Sequence, residues 1–403
     1  MTAPLISAEA DGSLDAIVAV RPVWRSLRRA GEAVGLATTT LLHAGPPFAA
    51  PRAITKPILN SACVAAVIEG VAPDFDAASQ AIERGEIALR PAQDFGVVTP
   101  LAAVVSASMW LHEVVDANEP SRRAYTPING GSGPAMRLGL RGDDVLNHIR
   151  WINGPFAESL TAVQKGDVDL IDLAAQGLTE GDDCHGRTIA ATAALVRLLS
   201  PAIESQSDSK RFLDQGPSFF LNLWMAACKC MLAAAAGGSV SSVVTAAGGN
   251  GAESGIQIAG APGRWFTAPA APPRGDLGDT PADRALGAIG DSAIVDVAGF
   301  GAMAMSYAAA QKEQLGRFMP SDGFDLPGLI LKRVHPGFGA LDLRIGLRAE
   351  DVVASGRTPV VSLGILDRWG EAGRLGGGIY RMPGSVFEEA MSALRTRQEG
   401  AAP

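Results

Sequence analysis

Thr38-Thr39-Thr40-Leu41-Leu42-His43-Ala44-Gly45-Pro46-Pro47 is a β-branched and apolar run that stops on glycine and proline. That is the pattern of a buried strand feeding a tight loop. Downstream, Asn60 to Gly70 and Phe75 to Arg84 read as helices and Met109 to Val115 as a further strand. Strands alternating with helices predict an α/β arrangement here, and the end of such a strand is a usual place for chemistry.

From Asp143 the apolar period becomes helical and strand patterns vanish for roughly ninety residues. Asp143 caps a helix through Trp151, Pro155 sits where it can start the next, and a long helix is expected from Asp183 to Ser205. Ser218 to Ala236 forms the last of this block and stops at Gly237-Gly238. It is the one stretch long enough to span a bilayer, but Asn222 and Lys229 lie inside it without flanking basic clusters, so a buried central helix is expected. Strand patterns return at Val240 to Ala246, Gly255 to Ala259, Ala293 to Val297, Leu341 to Leu347 and Val360 to Leu366. A capping box, Ser385 with Glu388, opens a final helix to Leu394. The fold class expected is therefore mixed α/β (α+β): an N-terminal α/β domain (14–142), an all-helical domain (143–238) and a C-terminal α/β domain (239–396), with loose tails at 1–13 and 397–403.

The 403 residues hold 34 Lys+Arg against 42 Asp+Glu, a net charge of -8, with 47% hydrophobic and 5% aromatic residues, 47 Gly and 26 Pro. An acidic chain without a dense basic run is a poor partner for nucleic acid. The first residues lack a basic segment followed by an apolar core, so a cytoplasmic protein is expected. Cysteines 63, 184, 228 and 230 form no Cys-x-x-Cys and read as reduced structural thiols.

Five segments are candidates for chemistry. In Asn129-Gly130-Gly131-Ser132-Gly133-Pro134-Ala135-Met136-Arg137, glycines can turn N–H groups towards one point and Pro134 can start a helix whose positive end faces it, a place for phosphate or carboxylate. The same residues also make a plain strand-to-helix turn. In Gly248-Gly249-Asn250-Gly251-Ala252-Glu253, Asn250 can orient an amide or carboxylate and Glu253 can accept a proton, although Asn-Gly is also the strongest short hairpin signal. Gly181-Asp182-Asp183-Cys184-His185-Gly186-Arg187 brings two carboxylates and an imidazole to a helix start, where either Asp can cap. His185 is a catalytic or anchoring candidate, and no second His cluster supports a metal. Gly290-Asp291-Ser292 lacks the Gly-x-Ser-x-Gly elbow of a hydrolase. Arg264 beside Trp265 can hold an anion that the ring closes over. Ser355-Gly356-Arg357-Thr358-Pro359 only partly matches the phosphate loop of ornithine- and aspartate-type carbamoyltransferases; a strand rather than a helix follows it, so it reads as a turn.

Taken in order, several stretches resemble the YlbE/AllG family: Leu41 to Pro47, Tyr125 to Trp151 with Gly142-Asp143-Asp144-Val145-Leu146, Gly181-Asp182-Asp183-x-His185, and Phe219 to Lys229. Asn250-Gly251-x-Glu253-x-Gly255-Ile256, Trp265-Phe266-Thr267-Ala268-Pro269 and Ile289-Gly290-Asp291-Ser292-Ala293-Ile294 continue the resemblance, which covers residues 15 to 395. This chain departs from the family pattern at Gly186-Arg187-Thr188, where Arg-Asn is common, and at Ser254, where Phe is usual. The resemblance implies a subunit of oxamate carbamoyltransferase working beside FdrA-like and AllH-like subunits in allantoin breakdown, or as a homo-oligomer. The reaction implied interconverts oxalurate plus phosphate with oxamate plus carbamoyl phosphate, without cofactor or metal.

On that reading the Gly130 to Gly133 loop cradles the anion with charge from Arg137 or Arg264. His43 or His185 polarises or shuttles a proton, Asn222 and Asn250 hold the amide, and Lys229 pairs with Asp183 or Glu253 in a buried site. Asp291 and Ser292 are further substrate-binding candidates. His185→Ala and Glu253→Gln are each expected to cut turnover by at least about 100-fold. Two other classes fit the same residues. One is an amidohydrolase or C–N lyase acting alone on a ureido compound, with water attacking in place of phosphate; the other is a non-catalytic scaffold for an FdrA-containing complex.

Overall fold

A computed structural model describes residues 12–236, 240–339 and 341–400. Most of the expected tails and the Gly237-Gly238 stop fall outside the described residues, while the first helix already begins at residue 12 and the last continues to Gly400.

The chain is a mixed α/β protein built round the helix Phe219–Ala233. Thirteen of its fifteen residues are buried, and a helix apolar on every side belongs in an interior. It packs on strands Trp110–Asp116, Arg123–Pro127 and Val244–Asn250 and on helix Ala293–Ala298. The N–H of Phe220 donates to Thr192 Oγ1 at 3.1 Å, so a side chain from another helix meets one of its free N-terminal donors. Among the described residues no helix is long and apolar enough to cross a membrane.

Two four-stranded sheets flank this helix. One runs Arg123–Pro127, Trp110–Asp116, Pro22–Arg29, Val168–Asp169, and the other Ile289–Gly290, Val244–Asn250, Glu253–Ile258, Phe266–Pro269, both antiparallel throughout. Val168–Asp169 is a short strand inside the stretch expected to be all helix. A third sheet orders Arg274–Gly275, Arg374–Arg381 and Val360–Leu366. The opening run forms Thr40–His43, paired in parallel with Ala88–Pro91, and ends in the loop expected. The largest apolar cluster takes members from residue 14 to residue 394.

Three local expectations need correcting. Ala293 to Val297 lies in the helix Ala293–Ala298, not a strand: the six residues of that helix are all buried, so no polar face marks the period. The helix expected from Asp183 begins at Ile189. Asp182 still caps it from outside, Oδ2 accepting the Ala191 N–H at 2.9 Å, while Cys184 sits in the left-handed region at φ 62°. Pro134 starts no α-helix; one 3-10 turn, Met136–Leu138, follows.

Candidate functional site

A cavity of about 580 Å³ opens where the central helix, the third sheet and four loops meet. Asn129 and Arg137 reach it from the loop after Arg123–Pro127, and His185 from the loop before Ile189–Leu199. Asn222 enters from the first turn of the central helix and Ser292 from the start of Ala293–Ala298. Ser362 and Arg374 come from adjacent strands, and Gln311 from helix Ala309–Leu315.

His185 is the chemical centre of this wall. Its Nδ1 lies 2.6 Å from Asp296 Oδ2, and Asp296 is fully buried. The other oxygen, Oδ1, accepts N–H bonds from Ala302 (2.7 Å) and Ser362 (3.1 Å), so the carboxylate cannot rotate away. Burial opposes a charged imidazole, but the charge and hydrogen bond of Asp296, with Asp183 behind, outweigh it and raise the pKa of His185. With Nδ1 engaged, Nε2 is the nitrogen left for chemistry. Asp183 Oδ1 accepts the N–H groups of His185 and Arg187, both at 2.8 Å, and so shapes the loop. Asp183 Oδ2 is buried and unpartnered, and burial raises this carboxyl to about 6.

Backbone strain gathers at the same place. Leu101, in the cavity wall, and Cys184, next to His185, are the non-glycine residues with positive φ among the described residues, at 47° and 62°. Such conformations cost on the order of 1–3 kcal/mol each and tend to sit at functional sites. Gly301, with φ 59°, is required here: a Cβ would stand 2.3 Å from Asp296 Oδ1 and 2.9 Å from His185 Cβ.

Of the residues singled out in the sequence, the structure brings Asn129, Arg137, His185, Asn222 and Ser292 to the cavity. Asn129 and Asn222 are largely occupied with each other. Asn129 Nδ2 donates to Asn222 Oδ1 at 2.9 Å, and Asn222 Nδ2 to the Pro127 carbonyl at 2.8 Å. The Gly131 N–H donates to Asn129 Oδ1, and the carbonyl of Gly130 is held by His148 Nε2. The Gly130 to Gly133 loop therefore spends polar groups on its own shape, Ser132 and Gly133 being exposed, and it lacks the helix dipole expected behind it.

The others lie elsewhere. Asn250 forms a hairpin turn, its Oδ1 accepting from Ala252 and Glu253 and its Nδ2 donating to Pro46 O; Gly251 and Glu253 belong to that turn. Arg264 is exposed over the Phe266 ring, and Trp265 Nε1 donates to Asp94. His43 is fully buried, and burial pushes it down to about 4. Lys229 Nζ donates to the Thr245 carbonyl at 2.9 Å, instead of pairing with Asp183 or Glu253. Burial lowers it to about 8 despite the charges of Asp291 and Asp94. Asp291 is a structural tie. Its Oδ1 accepts from Gly45 N and Gln93 Nε2, and its Oδ2 from Thr99 N and Oγ1, all at 2.8–3.1 Å.

Asp296, Arg374, Ser362 and Gln311 were not singled out. Asp296 had one signal, an acid alone in the apolar run Ala293-Ile294-Val295-Asp296-Val297-Ala298, which demands a buried partner. Among the described residues no group of three His, Cys, Asp or Glu is placed to hold a metal ion.

Comparison with known proteins places the chain among relatives. The family model described as "Oxamate carbamoyltransferase subunit AllG" matches residues 87–292. The Escherichia coli (strain K12) protein of that description is 33% identical over 94% of this chain and 96% of its own length. The uncharacterized protein YahG of the same strain is 31% identical over 96% of this chain and 85% of its own. A crystal structure of a conserved protein of unknown function from Enterococcus faecalis V583 superposes with a TM-score of 0.89 at 27% identity, covering 97% of this chain and 98% of that one.

Proposed function

The chain belongs to the AllG family of oxamate carbamoyltransferase subunits, and from that premise we propose that its cavity is where a carbamoyl group passes between phosphate and an amide nitrogen. The substrates proposed are oxalurate with phosphate and, in reverse, oxamate with carbamoyl phosphate, or a related ureido or amide compound. The single observation that supports placing the chemistry here is the buried His185–Asp296 pair presented to a cavity of small-molecule size.

An oxygen of hydrogen phosphate forms a bond to the carbamoyl carbon of oxalurate, and the bond from that carbon to the amide nitrogen breaks. The proton lost by hydrogen phosphate ends on that nitrogen, giving oxamate and the carbamoyl phosphate dianion. His185 Nε2 is the group proposed to move this proton, held in one tautomer and orientation by Asp296. FdrA-like and AllH-like subunits are the proposed partners.

The test incubates the purified chain, alone and with those subunits, with oxalurate and phosphate, and measures carbamoyl phosphate. Formation that falls by about 100-fold in His185→Asn supports the reading. A complex that turns over normally with His185→Asn places the chemistry in another subunit, and ureido substrates that release ammonia without carbamoyl phosphate make transfer wrong.

A further inference from the structure

The cavity wall is electrically lopsided. Arg137 Nη1 is buried and has no hydrogen-bond partner. Arg374, on the neighbouring strand, spends Nε on the carbonyl of Gly376 at 2.9 Å. Neither guanidinium pairs with a carboxylate among the described residues. Of the acids near them, Asp276 is held by Arg317, Asp296 by His185, and Glu313, which also lines the cavity, is exposed. The two guanidiniums feel each other: burial first, then the charge of Arg374, push Arg137 down to about 10. Ser362, 2% exposed, adds a buried and unpartnered Oγ to the same wall. Two like charges and a free hydroxyl are costly to keep together unless an anion joins them.

We propose that Arg137, Arg374 and Ser362 form a subsite for a tetrahedral phosphoryl dianion, inorganic phosphate or the phosphate end of carbamoyl phosphate. A single carboxylate neutralises one guanidinium. A dianion neutralises both and offers oxygens for two N–H forks and a hydroxyl. The assignment rests on the carbamoyl-transfer reading and deepens it: His185 lies on the same cavity, so phosphate held by the arginines is brought beside the proton-moving group.

The experiment titrates inorganic phosphate, and separately oxamate, into the purified full chain by calorimetry. It compares the parent with Arg137→Gln, Arg374→Gln, Arg374→Lys and Glu253→Gln, each shown folded by circular dichroism. Phosphate affinity is expected to fall by about tenfold or more in either Gln variant, the scale of a lost charge-assisted hydrogen bond. It should recover in part in Arg374→Lys and hold in Glu253→Gln, while oxamate affinity is kept throughout. Phosphate bound equally by parent and both Gln variants, or not bound by the parent, overturns the subsite, as does loss of oxamate with phosphate kept. If carbamoyl phosphate is never formed yet phosphate binding depends on both arginines, the subsite stands and the transfer reading fails. If transfer proceeds while the Gln variants bind phosphate as the parent does, the subsite alone fails.

Discussion

His185 and Asp296 are 111 residues apart in sequence and 2.6 Å apart in space, both buried. The charge and hydrogen bond of Asp296 raise the pKa of His185, and the pair titrates as one unit. Replacing Asp296 by Asn keeps the size and removes the charge that raises His185.

The first prediction is therefore a pH profile. If His185 gives its proton to the leaving nitrogen, carbamoyl phosphate formation falls as pH rises through its pKa. Asp296→Asn should move that alkaline limb to lower pH and reduce kcat by roughly 10- to 100-fold. An unmoved limb removes Asp296 as the positioning residue. Glu253→Gln, in a hairpin outside the cavity, should stay within about threefold of the parent, reversing the equal weight that sequence gave Glu253 and His185.

A second prediction concerns stability near the Asp291 tie. Asp291→Ala leaves the Gly45 and Thr99 N–H groups, the Thr99 hydroxyl and Gln93 without this acceptor, and removes a carboxylate that acts on Lys229. Urea unfolding should register a loss of about 3–5 kcal/mol. A loss below about 1 kcal/mol would mean that water replaces the carboxylate at little cost.

Acid should unfold the protein through its neutral histidines. Burial pushes His43 and His335 to about 4 and His112 to about 3. A base whose pKa is lower folded than unfolded binds protons better in the unfolded chain. The stability it contributes is present above about 6.5 and drains away as pH falls towards these values, at about 1.4 kcal/mol per unit for each group. The His185 pair works in the opposite sense: its contribution is complete below about 6.5 and is lost as pH rises through the raised pKa. Melting temperature measured across pH should fall on the acid side, and less steeply in His112→Phe, since both ring nitrogens of His112 are buried without partners.

The four cysteines are free and buried, and burial raises the thiol pKa of each. A thiol reagent at neutral pH should label none of them in the native protein and all four in denaturant. Rapid native labelling of any one would contradict the packing described for it.

Much of this architecture was readable from sequence. The strand that ends at His43, the central helix and the loops at Asn129 and His185 are marked by punctuation or by polar residues in apolar runs, and both signals are local. What was hidden is non-local. Asp296 lies in a helix buried on every side, where neither a period of 2 nor one of 3.6 emerges, so Ala293 to Val297 reads as a strand. Arg374 precedes a glycine run and becomes meaningful only beside Arg137, 237 positions earlier. Asp291 and His185 look alike in sequence, each a polar residue beside a glycine; only the surroundings make one a tie and the other a reagent.

Asp291 also sets a schedule for making the protein. Its partners Gly45, Gln93 and Thr99 precede it by 246, 198 and 192 residues, and a Cβ on Gly45 would stand 2.3 Å from Gly249. The early loops thus have no acceptor until nearly three quarters of the chain has left the ribosome, and the cavity must wait longer, for Ser362 and Arg374. A nascent chain halted before residue 291 should hold the first sheet without its finished loops. Chain closure over such separations is slow, so completion of these loops and of the cavity is expected late in synthesis, after the first sheet.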